Sequence, residues 1–235
     1  MADEKSTTWS AHLRTLCLKY KLPDPLELLQ NGEIWDKTKW TTMTTTLVTV
    51  HFERSLREEA KRNSKMQYLN VQVQGLSGAP HPALLNVKSM QDVQKLRHHL
   101  KILAGDFLTA ERLALNNGTS PQCKLCLAPV ESTAHALTEC SATSDIHSHM
   151  LPELLNTVLQ VQPNCTILYS PTHPQWLTQF ILDCTSPNLP ALHRVAAHNP
   201  CVWKIFSVSR NWCYAISKTR TRLLNQLSKQ LSKNK

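Results

Sequence analysis

Cys123 and Cys126 bracket a Cys-Lys-Leu-Cys run, eight residues separate Cys126 from His135, and four more lead to Cys140. Two cysteines three apart reach one ion from a tight turn, and a histidine and a cysteine five apart reach it from a short helix or its end. Three thiolates and one imidazole complete a tetrahedral Zn2+ shell with no position left for water. The metal expected here is therefore structural and does not activate a nucleophile. Its binding would also be folding free energy for the segment that holds it. Leu125, Leu127, Val130 and Leu137 supply an apolar cover, and Pro121-Gln122 and Leu127-Ala128-Pro129 supply turns. Two other readings stay open on residue type alone. The four could be ordinary buried side chains at a chance spacing, and His147 or His149 could replace His135, although both fall where an exposed helical face is expected.

Other chemistry is thinly supported. With 5 Gly against 13 Pro, the chain has neither a Gly-rich dinucleotide loop nor a GxxxxGK[ST] phosphate loop. Asp106 with Glu111, and Glu27 with Glu33, are isolated carboxylates of the kind that solvate helices, and no Ser/His/Asp order stands out. The expectation is a protein that is not an enzyme. No run approaches the roughly twenty apolar residues of a membrane span, and the polar Met1–Thr8 lacks the apolar core of a secretory signal. That predicts an intracellular protein, nuclear or cytoplasmic and not secreted, with no membrane partner. In a reducing compartment eight cysteines serve as metal ligands or buried apolar groups more readily than as a disulfide framework.

Charge is distributed unevenly. The net charge of +9 comes entirely from the last 52 residues: Cys184 to Lys235 contains nine Lys and Arg and no acid, whereas residues 1–183 hold 17 of each sign. Such asymmetry fits a polyanion partner, and equally a basic tail that only keeps a protein soluble.

The elements that must carry these residues are helical. Trp9, Leu13, Leu16, Cys17 and Tyr20 recur at helical spacing before Pro23-Asp24-Pro25 breaks the pattern. A short helix over Leu26–Gln30 ends at Asn31-Gly32. A longer one runs from Trp35 to Arg62, with a Thr-rich middle of weak helix propensity where a strand is the alternative. Residues 70–88, rich in Gly and Pro, form the expected linker, with a short extended piece at Val71 and Val73. Ser89 and Asp92 open a helix striped by Met90, Val93, Leu96, Leu100 and Leu103. A second, Asp106–Asn116, makes a hairpin leading into Cys123. Further helices are expected over Asp145–Gln160, Trp176–Cys184 and Cys201–Leu231, the last with one apolar and one basic face. The fold class is mainly α. It comprises an N-terminal helical region (1–69), the linker (70–88), a helical hairpin (89–120), an inserted Cys-Cys-His-Cys zinc knuckle (121–142) and a C-terminal helical region (143–235) ending in a long basic helix.

At these residues the chain resembles the C-terminal, post-polymerase region of reverse transcriptases from non-LTR (LINE-like) retrotransposons. Their pattern C-x-x-C…E-x-x-x-H-x-L-x-x-C is matched by Cys123, Cys126, Glu131, His135, Leu137 and Cys140. The retroviral knuckle has only four residues between its second Cys and its His. Upstream, Leu13-Arg14-Thr15-Leu16-Cys17-Leu18-Lys19-Tyr20-Lys21-Leu22-Pro23-Asp24-Pro25-Leu26 is similar to a segment of such elements. Downstream, Gln179–Asp183 and Arg210-Asn211-Trp212-Cys213-Tyr214, followed by Arg220 and Arg222, are similar to their closing helices. The departures are as informative. No adjacent Asp-Asp exists to hold polymerase metals, and the lone Pro-Asp, at Pro23-Asp24, precedes the knuckle and lacks the supporting carboxylates of an endonuclease. The resemblance implies a detached terminal piece: an element fragment, a pseudogene product or a domesticated descendant.

Two functions compete. In the first, the knuckle and the terminal helix bind single-stranded RNA or DNA, with Arg210, Lys218, Arg220, Arg222 and Lys229 as candidate phosphate contacts and Trp203, Trp212 and Tyr214 as candidate stacking groups. Trp212 lies on the apolar stripe, which predicts core packing instead. In the second, the chain is a zinc-stapled helical module that docks on a polymerase domain or another helical protein, or is an inert remnant, without nucleic-acid binding.

Overall fold

The computed structural model describes residues 8–33, 35–62, 67–69, 81–168 and 173–233, which fall into two compact units, one ending at Arg62 and one from residue 67 onward. All of its regular elements among these residues are helical. No described helix is long and apolar enough to cross a membrane. The first half of the expected linker, with Val71 and Val73, lies outside the described residues, as do residues 1–7.

The N-terminal unit contains α1 (Trp9–Tyr20), α2 (Pro25–Gln30) and α3 (Lys37–Arg62). Thr8 caps α1 by accepting the Ala11 amide, and the chain leaves the helix through Lys21 at φ 57°. Asp24 caps α2, with Pro25 in the first turn where its missing N–H is harmless. The Thr-rich stretch of α3 is helix and not strand. Thr46 satisfies its hydroxyl by donating to the Thr42 carbonyl 2.9 Å away, one turn back. Tyr20 meets His51 edge-on at 5.0 Å and holds α1 against α3.

The C-terminal unit is organised around α8 (Val202–Lys233), against which α4 (Met90–Leu103) and α6 (Ser144–Val161) pack. Ser89 and Asp92 form the reciprocal capping box their spacing predicts, and Gly105 takes φ 72° just past the end of α4. α5 (Ala110–Asn117) starts later than the expected Asp106, because Thr109 caps it by accepting the Arg112 amide. α6 faces the core with Met150, Leu154 and Val158, four residues apart. α7 (Pro174–Leu182) is buried from Leu177 to its end, Thr178 and Gln179 included, and Gln179 uses its side-chain amide to donate to the Tyr68 carbonyl (3.1 Å). The core closes on Phe180, Phe206, Trp212 and Ile216, all fully buried.

Candidate metal centre and basic helix

The segment between α5 and α6 contains the cysteine cluster. Two backbone devices shape its first half: the Leu127 amide donates to the Cys123 carbonyl (2.9 Å), and the Cys123 amide donates to the Ala128 carbonyl (3.0 Å). Leu127 takes the left-handed conformation at φ 64°, turning the chain sharply after Cys126. The second half is a π-helical turn, His135–Glu139, in which the Cys140 amide donates to the His135 carbonyl five residues back (2.8 Å). A five-residue hydrogen-bonded turn stacks residues 135 and 140, which is why a His-x-x-x-x-Cys spacing serves one ion here.

The four donors converge. Cys123 Sγ lies 4.0 Å from Cys140 Sγ, Cys126 Sγ lies 3.2 Å from His135 Nε2, and all four donor atoms lie within 4.8 Å of one another. Tetrahedral zinc with bonds of about 2.0–2.3 Å needs its ligands about 3.5–3.8 Å apart, a value inside this range. The cluster is a Cys3His set consistent with a structural Zn2+. His147 is not part of it, since its Nε2 is 3.3 Å from Thr143 Oγ1. His149 does not join it either.

The electrostatics of the metal-free thiols point the same way. Burial pushes the Cys123 thiol up to about 12 and raises Cys140 as well. For Cys126 burial acts in the same sense, but hydrogen bonds from the Ala128 amide and the neighbouring thiols outweigh it and lower its pKa. Amides of Leu125 and Cys126 act on Cys123 Sγ, and that of Ala142 acts on Cys140 Sγ. Such donors favour sulfur anions that burial alone disfavours; a divalent cation held by Cys123, Cys126, His135 and Cys140 would supply the missing counter-charge.

Glu131, 3% exposed, joins this cluster to the rest of the unit. Its Oε2 accepts the Ala110 amide at the start of α5 (2.7 Å), and its Oε1 lies 3.6 Å from Cys123 Sγ. Arg220 of α8 grips both oxygens, with Nε donating to Oε1 at 2.9 Å and an Nη to Oε2 at 2.8 Å. A second tie runs from Trp212 Nε1 to the Leu137 carbonyl inside the π turn (3.0 Å). The knuckle is thus fastened to α8 at two points. Sequence reasoning gave Glu131 only a place in a motif and Arg220 a role toward phosphate. Their partnership spans 89 residues, and no local pattern announces it.

The five expected phosphate contacts divide. Arg210 is 3% exposed and donates to the carbonyls of Ala83 (3.1 Å) and Leu85 (3.4 Å). It is committed inside the fold, which corrects its assignment to an exposed basic face. Arg220 is likewise engaged by Glu131, with its side chain largely covered. Lys218, Arg222 and Lys229 are exposed, and no ion pair to an acid is found for them among the described residues. Of the three stacking candidates, Trp212 is 1% exposed and belongs to the core, as its place on the apolar stripe predicts, while Trp203 and Tyr214 are half-buried.

No family model, no curated protein and no solved structure matches this chain.

Proposed function

We propose that this chain is a non-catalytic, zinc-stapled nucleic-acid-binding piece derived from the C-terminal region of a non-LTR retrotransposon reverse transcriptase. The observation that carries the binding function is the second half of α8. Lys218, Arg222 and Lys229 lie on one helical stripe with no acidic residue anywhere in the helix, and the knuckle anchors the base of that stripe through Arg220. Cations without an acidic partner are free to displace the counterions of a polyanion. The derivation rests on the residue pattern around Cys123–Cys140, in which Glu131 occupies the place where it can support both a ligand and the terminal helix.

The test is the affinity of the zinc-loaded chain for a labelled single-stranded RNA across a salt series. Three phosphate contacts on a single strand give a log–log slope of about −2. The slope should fall by about 2 in Lys218→Ala/Arg222→Ala/Lys229→Ala and be unchanged in Lys95→Ala, a charge-removal control on α4. Binding that is absent, or flat with salt, would remove the reading.

One observation favours the second reading. Leu113 of α5 and Leu224, Leu227 and Leu231 of α8 line a groove of about 290 Å3 beside Lys124 of the knuckle. An apolar helix of a polymerase domain or of another protein would fit such a surface. Salt-insensitive self-association or helix binding, without affinity for RNA, would favour that module or an inert remnant.

A further inference from the structure

The exposed cations of α8 do not stand alone. α4 packs alongside α8, and His98 of α4 meets Tyr214 of α8 edge-on at 5.3 Å. From that contact a shallow groove of about 570 Å3 runs between His98 and the α8 stripe that ends at Lys229. Its positive groups are Lys218, Arg222 and Lys229; between them Ser217, Thr221, Asn225 and Gln226 offer hydroxyl and amide hydrogen bonds. No Asp or Glu lines it. Burial lowers the basicity of His98, and its α4 neighbours Lys101 and Arg97 add to the effect. Both are exposed; Arg97 has no acidic partner among the described residues, and Lys101 has only Asp106, 3.8 Å away in a solvent-exposed pair. His98 of α4 thus lines a groove whose cations come from α8, and Arg97 and Lys101 flank His98 on α4, next to the groove rather than in its lining.

What the groove lacks is equally informative. Trp212 is in the core. The Tyr214 ring makes a T-shaped contact with His98 and carries Lys218 Nζ 5.3 Å from its centre. The two rings at the groove already engage each other and a cation, and the remaining lining groups are cations, hydroxyls and amides suited to phosphate and sugar oxygens. The stripe from Lys218 to Lys229 extends about 16 Å along the helix, roughly five nucleotides at about 3.4 Å each.

We propose that the α4–α8 groove holds the sugar-phosphate backbone of a nucleic acid without stacking on its bases, Arg97 and Lys101 sharing its phosphates with Lys218, Arg222 and Lys229. This rests on the nucleic-acid reading above and adds to it a second helix and a substrate class: a backbone of any sequence, duplex as well as single strand.

The experiment uses the full zinc-loaded chain, a mixed-sequence duplex of about 14 base pairs and an oligo-dT strand of the same length, several times the expected footprint. Five contacts predict a slope of about −4 to −5 on the duplex. Arg97→Ala/Lys101→Ala should lower it by about 2, and the triple α8 variant by about 3. Both substitutions put a strong helix former at exposed positions, and far-UV circular dichroism checks that the helices persist. The single strand should bind no tighter than the duplex, and Tyr214→Leu should change affinity less than threefold. If the α4 variant keeps the full slope while the α8 variant loses its share, the groove is overturned and the terminal-helix reading stands. A single strand preferred more than tenfold, or a loss of more than fivefold in correctly folded Tyr214→Leu, would overturn backbone recognition in favour of stacking. Absence of any salt-dependent binding, to the oligonucleotides here and to RNA, would overturn both.

Discussion

The two halves of α8 share one helix and one sign of charge, yet they do different work. From Val202 to Ser217 the helix is the axis of the C-terminal unit: Ile205, Phe206, Trp212, Cys213 and Ile216 are buried, and the single arginine of this half, Arg210, is spent on two backbone carbonyls. From Lys218 to Lys233 no residue is fully buried: Leu223, Leu224 and Leu227 are half-buried and Leu231 is 61% exposed. Arg220 sits at the border and belongs to the first half by its partners, since Glu131 holds both its Nε and an Nη. A cation's meaning is thus set by what stands opposite it. Arg210 and Arg220 help build the fold, whereas Lys218, Arg222 and Lys229 leave it with charge to spare.

The largest expected effect comes from removing the metal. Structural zinc contributes about 10–16 kcal/mol of apparent binding free energy in zinc-finger peptides. Chelation, or Cys140→Ser, should therefore unfold residues 121–142 and expose buried thiols. The comparison predicts that the damage spreads along α8 from its anchors, so that amide exchange speeds up around Trp212 and Arg220 as well as in the knuckle. Protection unchanged in α8 would show that the helix does not depend on the knuckle. Trp212→Ala comes next. It vacates a fully packed site and removes the indole hydrogen bond to the Leu137 carbonyl, and should cost about 3–5 kcal/mol in chemical denaturation.

Arg220→Ala leaves the buried Glu131 carboxylate without its counter-charge, a change that costs up to about 3–5 kcal/mol. Arg222→Ala, two residues on, should stay within about 0.5 kcal/mol of the parent. Equal losses at the two positions would erase the boundary drawn across α8. His99 offers a comparable effect through pH. It is fully buried where α4 meets α8, with Nε2 2.7 Å from the Leu182 carbonyl, and burial lowers its pKa to about 4. Its unfolded value is about 6.5. Below that pH the unfolded chain takes up a proton that the folded chain refuses until about pH 4. Stability from this residue is therefore complete above pH 6.5 and declines by about 3 kcal/mol by pH 4. His99→Gln should remove that part of the acid sensitivity, read as the difference between the two proteins' denaturation midpoints at pH 7 and pH 4.5.

What the sequence made legible follows the range of the interactions involved. The ligand set Cys123, Cys126, His135 and Cys140 is visible because its spacings are local, and the apolar stripe of α8 because helical period is local too. The capping box at Ser89 and Asp92 is a three-residue signal and stands where expected. The start of α5 shifted because Asp106 and Thr109 are both competent caps, and only the fold chooses Thr109. The destination of Arg210 was not legible. It falls among the buried residues of the helix, but its carbonyl partners lie on a turn more than 120 residues earlier. Nor was the α4 side of the basic groove. His98 belongs to a segment that is neutral overall by composition, and only packing brings it beside Lys218 and Arg222.

The smallest expected effect bears most directly on function. Lys218 and Arg222 are four residues apart on the same helical face, with no acid in α8 to separate them. Like charges at that spacing destabilise a helix by about 0.2–0.5 kcal/mol. Replacing one of them by Gln should leave the protein equally stable or slightly more so in low salt, and the difference should fade as ionic strength rises toward 1 M, where the screening length is about 3 Å. The same substitution is expected to weaken nucleic-acid binding. A side chain that costs the fold a little and strengthens binding has its reason outside the fold, in contrast to Arg220 only two residues away. If removing Lys218 or Arg222 instead destabilised the protein by 1 kcal/mol or more in a salt-independent way, these cations would have internal partners, and the second half of α8 would have to be reassigned from a binding surface to a structural one.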